Sequence, residues 1–236
     1  MNNLPFLLLS LVLFFVWALL FFFGKQTRRE QIILSLVAII LTPMILLLAT
    51  SDYLIRGTET EDSNGFIGIE NFIFAFSFTG IAAVAYEILI GRRLKPLRRK
   101  HFWGNHHLNW LATLVILIGA WFLVSSAMIL LFPIGSIYAF IVGGLLVITY
   151  IIAERHDLLF DSLFSGLFMA VLIFGLEQIF FRHIFLIDPK GIWQINNLSE
   201  LSINQIPIEE IIWILVVGMA VGPAYEYMRH YYVRGE

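Results

Sequence analysis

The chain has no cysteine, which excludes disulfides, thiolate metal sites and cysteine nucleophiles. Charge is scarce as well. Only 14% of its 236 residues are Asp, Glu, Lys or Arg, against roughly 25% in a soluble globular domain. The formal net charge of −2 gives no basis for a nucleic-acid partner. No Gly-x-Gly-x-x-Gly follows a strand, so a flavin or nicotinamide fingerprint is missing. No lysine lies inside an apolar run, so a retinal Schiff base has no attachment point. The N-terminal Met1-Asn2-Asn3-Leu4-Pro5 lacks the basic n-region of a cleaved signal, and the apolar run to Phe23 reads as an anchor.

What is present is hydrophobicity: 59% of residues are apolar and the mean hydropathy is +0.86. Runs of about 20 apolar residues are long enough to cross a ~30 Å hydrocarbon core. The sequence predicts seven, at about 4–23, 31–50, 67–90, 108–131, 134–153, 158–184 and 208–229. The runs are continuous and do not alternate, which favours helices over a barrel. The expected fold is an all-α polytopic membrane protein.

Lys and Arg set the expected orientation. With this topology 12 basic residues fall on one side, in the first, third and fifth connections and the tail, and only Arg56, Arg182 and Lys190 on the other. The N-terminus is therefore expected outside and the C-terminus in the cytoplasm of a cell membrane.

Two stretches resemble each other. A shift of 139 residues puts Ile67, Ile69, Glu70 and Ile73 on Ile206, Ile208, Glu209 and Ile212, and Ala85-Tyr86-Glu87 on Ala224-Tyr225-Glu226. Such identities suggest a duplication. The reading is a 3+1+3 parallel repeat: 1–92 as one three-helix unit, 93–133 as a basic loop and spacer helix, 134–236 as the second unit. Of the long connections, 187–205 mixes Trp193, Leu198, Leu201 and Ile203 with polar residues and is expected to fold back on the bundle.

Candidate chemistry rests on a few carboxylates. Glu209 and Glu210 point about 100° apart on a helix, so they cannot face one pocket equally. Either they cap the first turn, where amides and dipole favour an anion, or one is a proton donor in an apolar pocket. Glu177 lies inside the sixth run, a turn and a half from Arg182 and His183, as an ion-pair partner or a functional acid. Glu87 and Glu226, each followed by cations, read as interface anchors that pack across the repeat axis. Asp157-x-x-x-Asp161 can be tested as a diphosphate–magnesium pair of a prenyltransferase, with capping of the sixth helix as the simpler role. His106-His107 can be tested as metal ligands, with solvation as the simpler state. Gly218-x-x-x-Gly222 is a helix-packing signal. A three-one-three arrangement is similar to that of small sugar transporters, but their Pro-Gln pair is missing.

The Pro207-Ile208-Glu209-Glu210 motif opening a helix of a duplicated three-helix unit resembles the membrane-integral lycopene cyclase domain family, as does Trp193 upstream of it. The likeness covers most of the chain, as a fused pair with a spacer helix. It implies redox-neutral cyclisation of the ψ-end of a linear carotenoid, with no cofactor and no metal. Carried over residue by residue, it makes Glu209 and Glu210 the catalytic acids, with Glu70 their counterpart; Glu177 is a further candidate by its own place inside the sixth run. Trp213, Phe74, Trp193 and Asn71 are the substrate-binding candidates, since aromatic faces stabilise a carbocation. Gly68 and Asn71 stand in the first copy where the motif has Pro207 and Glu210. The implied partners are the bilayer and a hydrophobic isoprenoid, and a homo-oligomer is allowed. A carrier of a lipidic ligand is the competing class.

Overall fold

Hydrocarbon offers the backbone no hydrogen-bond partners, so each apolar run satisfies its own amides as a helix. A computed structural model describes residues 4–49, 68–91, 93–96, 106–132, 134–187, 192–229 and 231–234. The acidic connection 52–66, and with it Arg56, lies outside the described residues, as do Arg92, Arg98, Arg99, Lys100 and Lys190. The helices are α1 (Leu4–Phe23), α2 (Arg28–Ala49), α3 (Ile69–Ile90), α4 (His106–Leu131), α5 (Ser136–Glu154), α6 (Leu159–Glu177), α7 (Ile208–Val221) and α8 (Ala224–Arg229). Seven spans are long and apolar enough to cross a membrane. The chain is a multi-pass membrane protein.

The last span is expected as one helix, and the structure breaks it at Gly222-Pro223. Proline has no amide to donate and its ring displaces the carbonyl four residues back. That carbonyl, Met219 O, accepts instead from Ser162 Oγ of α6 at 2.8 Å. The sixth span is also interrupted: after Glu177 the chain continues as a π-helical turn, Gln178–Ile184.

Packing is closest where side chains are smallest. A Cβ added at Gly166 would meet Leu215 O at 2.7 Å, and one at Gly218 would meet Gly166 Cα at 2.8 Å, so α6 and α7 touch backbone to backbone. Gly222 extends the seam, since its Cβ would meet Ser165 at 2.6 Å. This is the small-residue packing expected of Gly218-x-x-x-Gly222. The α1–α2 hairpin is held by polar contacts. Arg28 Nε donates to Phe21 O at 2.9 Å, Gln31 Nε2 to Trp17 O at 2.9 Å, and Trp17 Nε1 to Ser35 Oγ at 3.0 Å.

The segment before α7 does fold back. Ile192, Trp193 and Ile206 pack on Phe6, Ile137 and Phe181, while Leu201 and Ile203 stay exposed. A two-residue hairpin joins β2 (Ser202–Ile203) to β3 (Ile206–Pro207). Asn204 and Gln205 have φ of 49° and 70°, as a type I′ turn needs. Before α4, β1 (Arg93–Pro96) pairs antiparallel with β4 (Tyr231–Arg234), an association across the chain that no local pattern announces.

Three expectations are corrected. Glu87 and Glu226 are not interface anchors but are buried, at 4% and 0% exposure. Asp157 does not cap α6; its N-cap is Leu158. Asp157 instead binds the Arg155 guanidinium through two hydrogen bonds of 2.8 and 2.6 Å, which holds Arg155 above its ordinary pKa. Asp161, one turn on, is buried among other groups, so the two aspartates do not form a joint diphosphate–magnesium site.

Candidate active site

Glu209 and Glu210 begin α7, and the 100° between neighbours on a helix sends them different ways. Glu209 is buried and turned toward α5 and the returning segment. Its Oε1 accepts from Tyr138 Oη at 2.7 Å and from the Ser199 amide at 2.8 Å. The N-cap of its helix, Pro207, makes no side-chain cap bond, and the Glu209 carboxylate also meets its own amide in the first turn. Glu209 thus ties the 192–207 segment to the bundle, and Oε2 is left buried without a hydrogen-bond partner.

Glu210 points to the interior. It lines an elongated cavity of about 260 Å³, and so does Glu177 of α6. The Trp193 indole donates to Glu210 Oε2 at 3.3 Å. Trp193 is itself fixed edge-to-face against Phe181, with ring centroids 6.1 Å apart. Glu177 sits where α6 passes into its π-helical turn, a distortion that often marks functional sites.

The walls are apolar. Phe74 and Phe78 of α3 stack with centroids 5.7 Å apart, and Trp213 of α7 meets Phe140 edge-to-face at 5.9 Å. Along α5 the lining runs from Ile137 to Ile151, about 21 Å at 1.5 Å per residue. Residues 34–46 of α2 and 114–122 of α4 contribute the remaining walls.

The sequence candidates therefore separate. Glu210, Glu177, Trp213, Phe74 and Asn71 line the cavity together. Trp193 stands behind Glu210. Glu70 does not line the cavity. Its carboxylate lies over Gly68, where an added Cβ would come within 2.5 Å of it, so a side chain at 68 would have to displace that carboxylate. In the 139-residue register Asn71 corresponds to Glu210, so the inward-facing position is an acid in one stretch and an amide in the other. His183 is exposed, with Nδ1 2.9 Å from Gln178 O. Sequence reasoning missed Tyr138. The available signal was a tyrosine in the first turn of α5, at the depth expected for the start of α7. Of His106-His107, the structure gives only their place at the start of α4.

Among known proteins, no curated protein and no solved structure matches the chain. A family model described as lycopene cyclase matches residues 135–228. The matched stretch holds α5, α6, α7 and nearly all of α8, and with them Tyr138, Glu177, Trp193, Glu209, Glu210 and Trp213. The first four helices lie outside it, so the match is narrower than the likeness read from the motifs. Over residues 135–228 the chain is thus similar to the lycopene cyclase family.

Proposed function

We propose that the chain cyclises the ψ-end group of a linear carotenoid such as lycopene by redox-neutral acid/base chemistry within the membrane. The observation that carries this reading is the pair of carboxyl groups, Glu210 and Glu177, on one elongated aromatic cavity. Glu210 as a carboxylic acid protonates the terminal alkene, giving a tertiary carbocation. The neighbouring double bond attacks that cation and closes a six-membered ring, moving the charge into the ring. A carboxylate then removes a ring proton and restores a double bond. One proton is added and one lost, so the product is an isomer and no oxidant is needed. Glu177 is the candidate for the second step.

Trp213, Phe74 and Phe78 offer π-faces to the cation, each worth about 0.5–2 kcal/mol when desolvated. Asn71 supplies a neutral polar contact at the same end. Glu209, held by Tyr138 and Ser199, acts by fixing the segment that carries Trp193. Two parallel three-helix units remain part of the reading. It is supported by α3 packing along α1 and α2 while α7 packs along α5 and α6. The orientation is likewise proposed, with the N-terminus outside. A reporter fused after Glu236 that is protected from external protease in intact cells supports it, and one that is cleaved overturns it.

The test of the activity is expression in a lycopene-accumulating bacterium with pigment analysis. Monocyclic or bicyclic products that disappear in Glu210→Gln support the cyclase. Unchanged lycopene beside a folded, membrane-inserted chain overturns it for that substrate. Lycopene that copurifies unconverted would instead favour a carrier.

A further inference from the structure

Four carboxylates meet at the end of the bundle remote from the Pro207–Glu210 motif. Glu30 comes from the first turn of α2, Glu87 from the last turns of α3, Asp161 from the first turn of α6 and Glu226 from α8. All four are buried, at 1%, 4%, 1% and 0% exposure. One oxygen from each glutamate lies within 4.8 Å of the others. Apart from the carboxyl–carboxyl contacts of Glu87 with Glu30 and with Glu226, neither oxygen of any of the three glutamates has a hydrogen-bond partner among the described residues, and nor has Asp161 Oδ2. Asp161 Oδ1 accepts from Ser165 Oγ at 3.2 Å, and the aspartate acts electrostatically on all three glutamates. Gly222 makes this approach feasible, because a Cβ there would press on Ser165 and come within 3.3 Å of Asp161 Oδ1.

Isolated ionised carboxylates are not sustained in a low-dielectric interior without a compensating charge or proton. Arg155 acts on Glu226, but its guanidinium is held by two hydrogen bonds to Asp157. Among the described residues no further cation acts on the cluster, so compensation comes from protons or from an ion. A shared proton joins carboxyl groups in pairs. Here three carboxylates from three helices approach one point and a fourth stands beside them, which is the geometry of coordination. The spacing agrees: two oxygens on opposite sides of a cation at about 2.3–2.6 Å each are at most about 5 Å apart. An all-oxygen donor set without histidine or thiolate selects a hard ion of the calcium, magnesium or manganese(II) class.

We propose that Glu30, Glu87 and Glu226 bind one hard divalent cation, with Asp161 adding its charge beside them, and that the ion clamps α2, α3 and α8 together at the end of the bundle remote from the cavity acids. The site does not use the Asp157–Asp161 pairing, and it stands whether or not the cavity carries out cyclisation. Its donors are scattered over three helices with no spacing motif, so it cannot be found by reading along the chain.

The experiment is a Mn²⁺ titration of the full chain in detergent or nanodiscs, stripped with chelator and followed by electron paramagnetic resonance. The expected result is one tightly bound Mn²⁺ per chain, displaced by Ca²⁺ or Mg²⁺, with a cation-dependent rise in melting temperature. Glu87→Gln and Glu226→Gln should each weaken Mn²⁺ binding at least tenfold. Glu209→Gln, at the other end, should leave it unchanged. Absence of stoichiometric Mn²⁺ on the wild-type chain overturns the proposal, whatever the variants do. So does Mn²⁺ binding that survives Glu87→Gln and Glu226→Gln combined. A melting temperature that follows pH and ignores cations would assign the cluster to shared protons and also overturn it.

Discussion

The two ends of the bundle hold buried acids in opposite circumstances. At the motif end the acids have donors from other elements: Tyr138 and Ser199 for Glu209, and Trp193 for Glu210. At the other end, among the described residues, Glu30, Glu87 and Glu226 have one another, Asp161 and the charge of Arg155, with no neutral hydrogen-bond donor. Charge-assisted hydrogen bonds are roughly twice as strong as neutral ones, so the first arrangement fixes each carboxylate individually. The second fixes none of them until a proton or ion arrives. A buried carboxylate with neutral donors can keep or exchange its proton at a defined position, as acid catalysis requires. A cluster without donors is a receptor for positive charge.

The largest expected effect lies at the cavity. Glu210→Gln preserves shape and removes the proton, so cyclised pigment should fall by roughly 10²–10⁴-fold, the usual contribution of a positioned general acid. Pigment analysis in lycopene-accumulating cells at matched protein levels measures it. Equal loss in Glu209→Gln would break the distinction between the two neighbours.

Next comes a contrast of sign. In chelator, Glu226→Gln removes one buried carboxylate without a neutral donor and should stabilise the chain by about 1–2 kcal/mol, the scale of an unsatisfied buried group. Thermal unfolding in detergent reads this directly. A destabilisation of the same size would show that Glu226 has a partner the comparison lacks.

Glu209→Gln should act the other way. It weakens the hydrogen bonds to Tyr138 and the Ser199 amide and should cost about 1 kcal/mol. Faster proteolysis within 192–205 is the local sign to look for. Tyr138→Phe should reproduce part of that effect.

The smallest effect expected is at Trp213. Trp213→Leu removes a π-face and should slow cyclisation by a few-fold to about thirtyfold, with Trp213→Phe intermediate, as a contribution of about 0.5–2 kcal/mol requires. Initial pigment-conversion rates of the two variants decide between a cation-stabilising role and simple packing.

Much of the fold is legible along the chain because its causes are local. Apolar runs of spanning length form helices whatever their neighbours, and Gly218-x-x-x-Gly222 marks a close seam. The breaks were harder to see. Pro223 reads as a helix breaker only weakly inside so apolar a run, and its consequence depends on Ser162 of another helix donating to the freed Met219 carbonyl. At the site, the motif and Glu177 stand out as acids in apolar surroundings. Glu30 does not, because beside Arg28 and Arg29 at the end of a span it looks like an ordinary surface charge.

The sequence by itself determined the seven spans, the helical class and the short list of acids. Each follows from hydrocarbon thickness and from the cost of an unpaired backbone or charge in lipid. Only the tertiary structure decided that Glu210 faces the cavity while Glu209 faces Tyr138, that Glu70 folds back over Gly68, and that Glu87 and Glu226 meet in the interior. The physical reason is that a helical side chain's direction is fixed locally, at 100° per residue, whereas what lies in that direction is supplied by other helices.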